Sequence, residues 1–208
     1  MSEFTFEENN TGFKLETFEW DNVWWEHTEN TTAKRVAYVG DSISCGTRHA
    51  ATALSENTIL FDGFGTSKAL DNPNYLKTLP LFFAQEQKID AILFNNGLHG
   101  WGLPDERYEE EYRKMLTYLR SVSDAPLFVV LSTNLPARPE RNEIVLRRNV
   151  IASRLAEEFG LPCIDLYSVS VQYRDMHTVD NVHFTEEGYG KLARCILDAL
   201  AQQGIASK

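Results

Sequence analysis

Short apolar segments alternate with amphipathic stretches along this chain, and that alternation restricts the folds that it can adopt. The apolar segments are residues 35–39, 58–61, 91–94, 127–131 and a weaker one at 162–166. Helical periodicity marks residues 105–121, 142–159 and 185–202. Short continuous apolar runs are typical of strands that are buried on both faces, as parallel strands are. The sequence therefore predicts an α/β protein, a three-layer α/β/α sandwich with a central parallel sheet.

The predicted sandwich occupies residues 34–208, and residues 1–33 precede it as an aromatic-rich segment. We expect this segment to form an arm, or one or two short strands, that packs on the main domain. Ordinary core packing is the preferred explanation of its aromatic side chains, and a surface for stacking carbohydrate is the alternative. The aromatic residues concerned are Phe4, Phe6, Phe13, Phe18, Trp20, Trp24 and Trp25.

The formal net charge of −10 argues against two classes of partner. Nucleic acids and anionic membrane surfaces are bound mainly through Lys and Arg, so neither is expected. No apolar run reaches the roughly 18–20 residues that span a bilayer, and the acidic start MSEFTFEENN lacks the features of a secretory signal, which predicts a cytoplasmic protein. The scattered Cys45, Cys163 and Cys195 fit a reducing compartment, and neither they nor the histidines show the spacing of metal ligands.

Two short polar motifs near opposite ends of the chain carry groups suited to nucleophilic catalysis. Ser42 lies in Gly-Asp-Ser directly after the first apolar segment, where a turn would expose its hydroxyl at the edge of the sheet. Asp180 and His183 precede the last helix at a spacing that lets the acid orient the imidazole as a base. Each motif alone also fits a helix cap, a turn or half of a metal site. Cys45 is expected to be a small buried residue rather than a nucleophile.

Two further strand ends offer donors for a developing oxyanion. Residues 62–65 (DGFG) contain glycines that permit close backbone approach, and residues 95–101 (NNGLHGW) contain amide side chains. Tight turns are the alternative explanation of both segments. Within the second segment, His99 and Trp101 either line a substrate pocket or serve as a structural histidine and a packed indole.

The order of these four blocks resembles that of the SGNH (GDSL-type) hydrolases, over residues 35–200. The resemblance implies a flavodoxin-like sheet, a Ser42 nucleophile whose own N–H is one oxyanion donor, and a second donor at the Gly63 N–H. It also assigns the base to His183 and its orienting acid to Asp180. The third block is usually G-x-N-D and here reads N-N-G-L-H, so the side-chain donor is Asn95, directly after the strand, or else Asn96. Members of the family act on esters, including acetyl groups on sugars, without metal or organic cofactor.

The sequence thus predicts a serine ester hydrolase for a small ester substrate, such as an O-acetylated sugar. A short-chain thioesterase or general esterase remains an alternative, as does a catalytically silent ligand-binding domain, because the third block is altered. A nucleotide-binding domain is disfavoured by the lack of a G-x-x-x-x-G-K-[ST] motif.

Residues 132–134 are expected at the rim of the cleft. Four arginines in and just before the predicted helix at residues 142–159 are expected on a solvated face rather than at an anionic substrate: Arg138, Arg141, Arg147 and Arg148. Oligomeric state is left open.

Overall fold

In a computed structural model that describes residues 17–86 and 88–205, one sheet lies between two layers of helices. Its strands are β1 Asp21–Trp24, β2 Lys34–Gly40, β3 Ile59–Thr66, β4 Ala91–Phe94, β5 Leu127–Val130 and β6 Cys163–Ile164. The helices are α1 Ser42–Leu54, α2 Tyr75–Phe83, α3 Asp105–Val122, α4 Pro139–Phe159, α5 Leu166–Gln172 and α6 Glu186–Gln202. A short 3₁₀ turn spans Arg174–Met176.

The sheet has the strand order β1-β3-β2-β4-β5-β6. Strands β2 to β6 are parallel, and their order is the doubly wound, flavodoxin-like one. The predicted α/β sandwich is therefore confirmed. One strand differs from the parallel arrangement: β1 pairs with β3 in the antiparallel direction and forms that edge of the sheet. This strand falls inside the predicted aromatic segment, of which Phe4, Phe6 and Phe13 lie outside the described residues.

Alternation within the buried strands divides the core into two halves. Val36 and Tyr38 of β2 face the half that contains residues of α1 and α6. Ala37 and Val39 face the half built with α2 and α3. Since each fully buried large apolar side chain contributes roughly 1.5–3 kcal/mol, a strand apolar on both faces is stable only between two helical layers.

Strand β3 is longer than predicted, and the DGFG segment belongs to it rather than to a loop. Asp62 is tolerated inside the strand because Arg35 Nη1 donates to its two carboxylate oxygens at 2.9 and 2.7 Å. Gly63 is needed because a Cβ there would lie 2.0 Å from the guanidinium of Arg48 on α1. The glycines therefore mark the close approach of a helix to the strand.

Helices α1, α2 and α5 have no counterpart among the predicted helices. Helix α1 shows no long apolar stripe because it packs on the sheet through small residues such as Ser44, Thr47 and Ala51. The predicted α4 begins three residues too late, since Pro139 occupies a first-turn position where its missing N–H costs nothing. Its predicted end is confirmed by Gly160, whose φ of 64° is left-handed.

Candidate active site

Ser42 is the first residue of α1, directly beyond the end of β2. Asp41 caps this helix, and its Oδ1 accepts a hydrogen bond of 2.9 Å from the N–H of Ile43. The order of the sheet reverses between β2 and β4, and in doubly wound sheets the crevice at such a point holds the ligand. Ser42 therefore stands at a helix N-terminus beside the expected ligand crevice.

His183 is held by a short loop before α6. An isolated bridge joins His177 to Phe184, and the N–H of Thr178 donates to the carbonyl of His183 at 2.8 Å. Asn181 takes a left-handed φ of 57°, which turns the chain within the loop. Oδ1 of Asp180 accepts from the backbone N–H of residues 182 and 183 at 2.9 and 3.0 Å. This loop fixes the carboxylate beside the imidazole ring.

The structure brings Ser42, His183 and Asp180 into one hydrogen-bonded chain. The Nδ1 of His183 lies 2.6 Å from Oδ2 of Asp180, and its Nε2 lies 2.8 Å from Oγ of Ser42. A carboxylate only accepts, so Nδ1 carries the proton and Nε2 is left to accept the proton of the Ser42 hydroxyl. An imidazole in this tautomer can act as a base towards the serine.

The pKa of Asp180 supports its charged form. Partial burial acts to raise this pKa, but hydrogen bonds from the His183 ring, from two backbone N–H groups and from the Thr178 hydroxyl outweigh it. The net result is a pKa well below the ordinary value for aspartate. Asp180 is therefore available as an anion to orient the ring and to stabilise an imidazolium.

Ser42 opens into a cavity of about 550 Å³. It combines aromatic and aliphatic walls with two arginines, and its lining residues are Phe18, Trp20, Ser42, Leu98, His99, Trp101, Leu135, Arg138, Arg141, Asp180, Val182 and His183. His99 and Trp101 thus line the cavity, which is one of the two alternatives that the sequence left open for them. The sequence did not assign the other wall residues to the site, and for Phe18 and Trp20 the only signal was the aromatic content of the segment before β1.

No protein-family model and no curated protein matches this sequence. Solved structures do match its fold. A member of the lipolytic G-D-S-L family from Veillonella parvula superposes with a TM-score of 0.69 at 18% identity, covering 82% of this chain and 100% of that one. The chain has the SGNH hydrolase fold.

Two other structures of this fold are those of proteins named for a more specific reaction. An acetyl xylan esterase gives a TM-score of 0.63 at 17% identity, covering 80% of this chain and 99% of that one. The C-terminal catalytic domain of peptidoglycan O-acetyltransferase A from Streptococcus pneumoniae gives 0.64 at 17% identity, covering 84% of this chain and 97% of that one. Because all three identities are below 20%, these likenesses establish the SGNH fold alone.

Gly63 does not occupy the loop position that the SGNH resemblance implied. It lies inside β3 between Trp24 of β1 and Tyr38 of β2, and Tyr38 precedes Ser42 by four residues. A strand advances about 3.3 Å per residue, so Gly63 lies well below the edge of the sheet. Its amide also lies in the plane of the sheet, directed at a neighbouring strand. The predicted oxyanion role of Gly63 is therefore wrong.

Asn95 is occupied by the fold as well. It is buried, and its Nδ2 donates to the carbonyl of Val130 at 2.9 Å and to Oγ of Ser132 at 3.1 Å, which uses both amide hydrogens. The Nδ2 of Asn96, also buried, donates to the carbonyl of Lys68 at 3.3 Å. Asn95 therefore uses both amide hydrogens within the sheet region, whereas this bond of Asn96 uses one.

The segment after β3 supplies the backbone amides that do lie at the site's end of the sheet. Its first two amides are used, since Ser67 N–H donates to the carbonyl of Trp20 and Lys68 N–H to Oγ1 of Thr66, both at 3.1 Å. The next, Ala69 N–H, makes no hydrogen bond to any residue in the described ranges. This segment packs on the loop that follows β4, where Gly100 has a φ of 65° and a Cβ would lie 2.5 Å from that of Ala69.

The predicted solvated face of α4 holds for one arginine and fails for another. Arg147 is exposed and pairs with Asp105 at 2.7 Å, as expected. Arg148 is fully buried, and its guanidinium donates to the carbonyls of Gly97, His99 and Gly100 at 3.1, 2.6 and 2.6 Å. The expectation is therefore wrong for Arg148, which fixes the loop after β4.

Other sequence expectations concern residues that do not take part in the hydrogen bonds between Ser42, His183 and Asp180. Residues 132–134, predicted at the rim of the cleft, are buried and do not line the cavity. Burial raises the pKa of the Cys45 thiol, consistent with an inert side chain. Within residues 17–86 and 88–205, no cluster of three or more His, Cys, Asp or Glu side chains is arranged to hold a metal ion. The same residues contain no helix with the length and apolar character needed to cross a membrane.

Proposed function

We propose that this protein is a serine ester hydrolase that acts on small acyl esters, acetyl esters in particular. The observation that carries the proposal is the 2.8 Å contact between Ser42 Oγ and His183 Nε2, with Asp180 at the opposite ring nitrogen. Neighbours of the same fold include a lipolytic protein and an acetyl xylan esterase, which supports the same chemistry.

The proposed mechanism is a double displacement through an acyl-enzyme. His183 removes the proton of Ser42 as its Oγ attacks the ester carbonyl, and Asp180 stabilises the imidazolium. The imidazolium then protonates the leaving alcohol. In the second half, His183 takes a proton from water, which attacks the acyl-enzyme and releases the acid and the free Ser42 hydroxyl.

We propose three donors to the oxyanion. The N–H of Ser42 is the first amide of α1, where the helix leaves its amides without intrahelical partners and the dipole favours negative charge. The remaining hydrogen of Asn96 Nδ2 and the Ala69 N–H are the other two donors that we propose. Each such donor is worth about 3 kcal/mol in the transition state.

The cavity favours an acyl group carried by a ring-sized alcohol. Its volume of about 550 Å³ exceeds what an acetyl group needs, and Trp20, Trp101 and Phe18 offer flat apolar surface. We therefore propose an O-acetylated sugar as substrate, with residues 1–33 acting as an arm that adds Phe18 and Trp20 to the site of the 34–208 domain. A thioester or a simple short-chain ester is the competing substrate class.

A fluorophosphonate probe and a nitrophenyl ester test the proposal directly. The wild-type protein should be labelled at Ser42 and should hydrolyse 4-nitrophenyl acetate, and Ser42→Ala should abolish both. Ser121→Ala, at an exposed position on α3, is the matched control and should retain both. Absence of labelling in folded wild-type protein, or unchanged turnover in Ser42→Ala, would refute the assignment and leave the silent binding domain. Comparing acetylated sugars with longer acyl esters and thioesters then defines the substrate class.

A further inference from the structure

The cavity around Ser42 carries a charge opposite to that of the protein. The whole chain has a formal net charge of −10, yet the lining residues that the structure describes include Arg138 and Arg141 and a single carboxylate, Asp180. Asp180 already accepts hydrogen bonds from Thr178, from two backbone amides and from the His183 ring. It is thus committed to its own loop and does not serve as a partner for the arginines.

Arg138 and Arg141 differ from the exposed arginines that join α4 to α3 through ion pairs. Arg147 and Arg154 of α4 pair with Asp105 and Glu109, and Arg113 of α3 pairs with Glu158. Among residues 17–86 and 88–205, no carboxylate lies within ion-pair distance of Arg138 or Arg141. Because acidic residues outnumber basic ones by 30 to 20, the lack of pairing at these two positions is not explained by a shortage of acids.

The two arginines occupy the start of α4 at the cavity. Arg138 precedes the helix and Arg141 lies in its first turn, where the helix dipole adds positive potential. The guanidinium of Arg141 lies 4.8 Å from the centre of the Trp101 ring, which holds it against an aromatic wall of the cavity. The aromatic surface and the positive charge therefore face the same volume as the Ser42 hydroxyl.

We propose that the ester hydrolysed by this protein carries a carboxylate that Arg138 and Arg141 bind. This inference rests on the proposed function and specifies its substrate class. With aromatic walls for a sugar ring, the alcohol is an acidic sugar, and the ester is an acyl group on one of its hydroxyls. Arginine is suited to this role because its planar fork binds a carboxylate through two parallel hydrogen bonds.

A matched pair of substrates isolates the charge. The first is an O-acetylated galacturonic acid and the second is its methyl ester, which has the same acetyl group and ring without the negative charge. We expect a kcat/KM about tenfold or more higher for the acid, with the difference in KM. Since exposed charge pairs are screened, 0.5 M NaCl should reduce this preference several-fold. Mono-4-nitrophenyl succinate, compared with 4-nitrophenyl acetate, reports whether the arginines instead serve a carboxylate on the acyl side.

Variants assign the preference to the two arginines. Arg138→Gln combined with Arg141→Gln should remove most of the preference for the acid, measured as the ratio of kcat/KM for the acid to kcat/KM for its methyl ester. Arg147→Gln removes one positive charge from α4 outside the cavity and should keep the preference. Equal kcat/KM for the acid and its methyl ester in the wild type, or equal losses in Arg147→Gln, would overturn the proposal.

A binding measurement separates this inference from the proposed function. In Ser42→Ala, quenching of tryptophan fluorescence by the acetylated acid and by its methyl ester measures affinity without turnover. Selective binding of the acid, lost in the arginine double variant, supports the inference even if 4-nitrophenyl acetate is not hydrolysed by the wild type. Unselective binding alongside normal turnover sinks the inference and leaves the esterase proposal standing.

Discussion

Asp180 shows how much of a site a few neighbouring residues can build. Its two oxygens accept from Thr178, from two backbone amides and from His183, all within a loop of six residues. Because these contacts are local, the spacing of Asp180 and His183 in the sequence was enough to predict their pairing. The contact with Ser42 is not local, and the sequence supplied it only through the resemblance to the SGNH family.

Substituting the two asparagines after β4 in turn should separate catalysis from folding. Asn96→Ala should lower kcat for 4-nitrophenyl acetate about 100-fold, because it removes one of the proposed donors to the oxyanion. Asn95→Ala should leave kcat within about tenfold but lower the free energy of unfolding by about 1–3 kcal/mol, since it strands the buried Val130 carbonyl. Steady-state kinetics and urea denaturation measure the two effects. The reverse pattern would return the oxyanion role to Asn95.

The positions of Gly63 and Asn95 in the structure differ from the sequence expectation for a shared physical reason. Sequence spacing indicates which residues lie near a strand end, but the direction of an N–H group depends on where the strand stops and which neighbours pair with it. Strand β3 continues through Gly63 because β1 pairs with its outer edge. Asn95 turns toward β5 because Val130 offers an acceptor there.

At the scale of elements, the loop after β4 is shaped by a residue from a distant helix. Arg148 of α4 donates to three carbonyls of this loop. Its guanidinium also lies 4.7 Å from the centre of the Tyr108 ring on α3. Nothing in the periodicity of α4 separates this buried arginine from the exposed Arg147 beside it. A charged residue at a core position is visible only once the helix is docked.

Removing that guanidinium should loosen the loop that carries His99 and Trp101. Arg148→Met should lower the free energy of unfolding by about 2–4 kcal/mol and kcat for 4-nitrophenyl acetate at least tenfold, since buried carbonyls lose their donors. Arg148→Lys should not restore activity, because an ammonium lacks the fork that reaches several carbonyls. Arg147→Met is the control and should change neither quantity appreciably. Wild-type kinetics in Arg148→Met would show that the loop does not depend on this residue.

The elements themselves were predicted where their patterns were strong. Strands β2, β4 and β5 are apolar on both faces, and α3 and α6 carry clear stripes with acidic first turns. Helix α1 escaped because its packing face is made of small residues, and α2 because its apolar run contains Pro80. A hydrophobic pattern does not reveal a helix such as α1, which packs closely on the sheet through small residues rather than through large apolar ones.

At the scale of the whole molecule, the partly buried carboxyl group of Glu86 affects how stability depends on pH. Glu86 follows α2 and lines a small pocket with Trp25 and Arg35. Burial, assisted by the charge of Asp62, raises the pKa of Glu86 to about 8. In the unfolded chain its ordinary value is 4.5, so between these values the folded state holds a proton that the unfolded state has released.

The protein should therefore lose stability as the pH rises from about 4.5 to about 8. Because Glu86 is partly accessible to solvent, we expect its share of the loss to be roughly 1–2 kcal/mol. Glu86→Gln removes this titration and should flatten the dependence of the free energy of unfolding on pH, measured by urea denaturation at pH 5 and pH 8.5. Glu106→Gln, an exposed position on α3, should retain the wild-type slope. An identical slope in both variants would contradict the role of Glu86.

Ser42 and His183, the proposed nucleophile and base, are 141 positions apart, one at the first helix and the other before the last. The proposed hydrolysis therefore requires the whole sheet to be assembled and α6 to be docked, whereas helix content and compactness can develop earlier. During refolding, recovery of ester turnover should be the last signal to appear, so that its rate of recovery reports the rate at which the fold is completed.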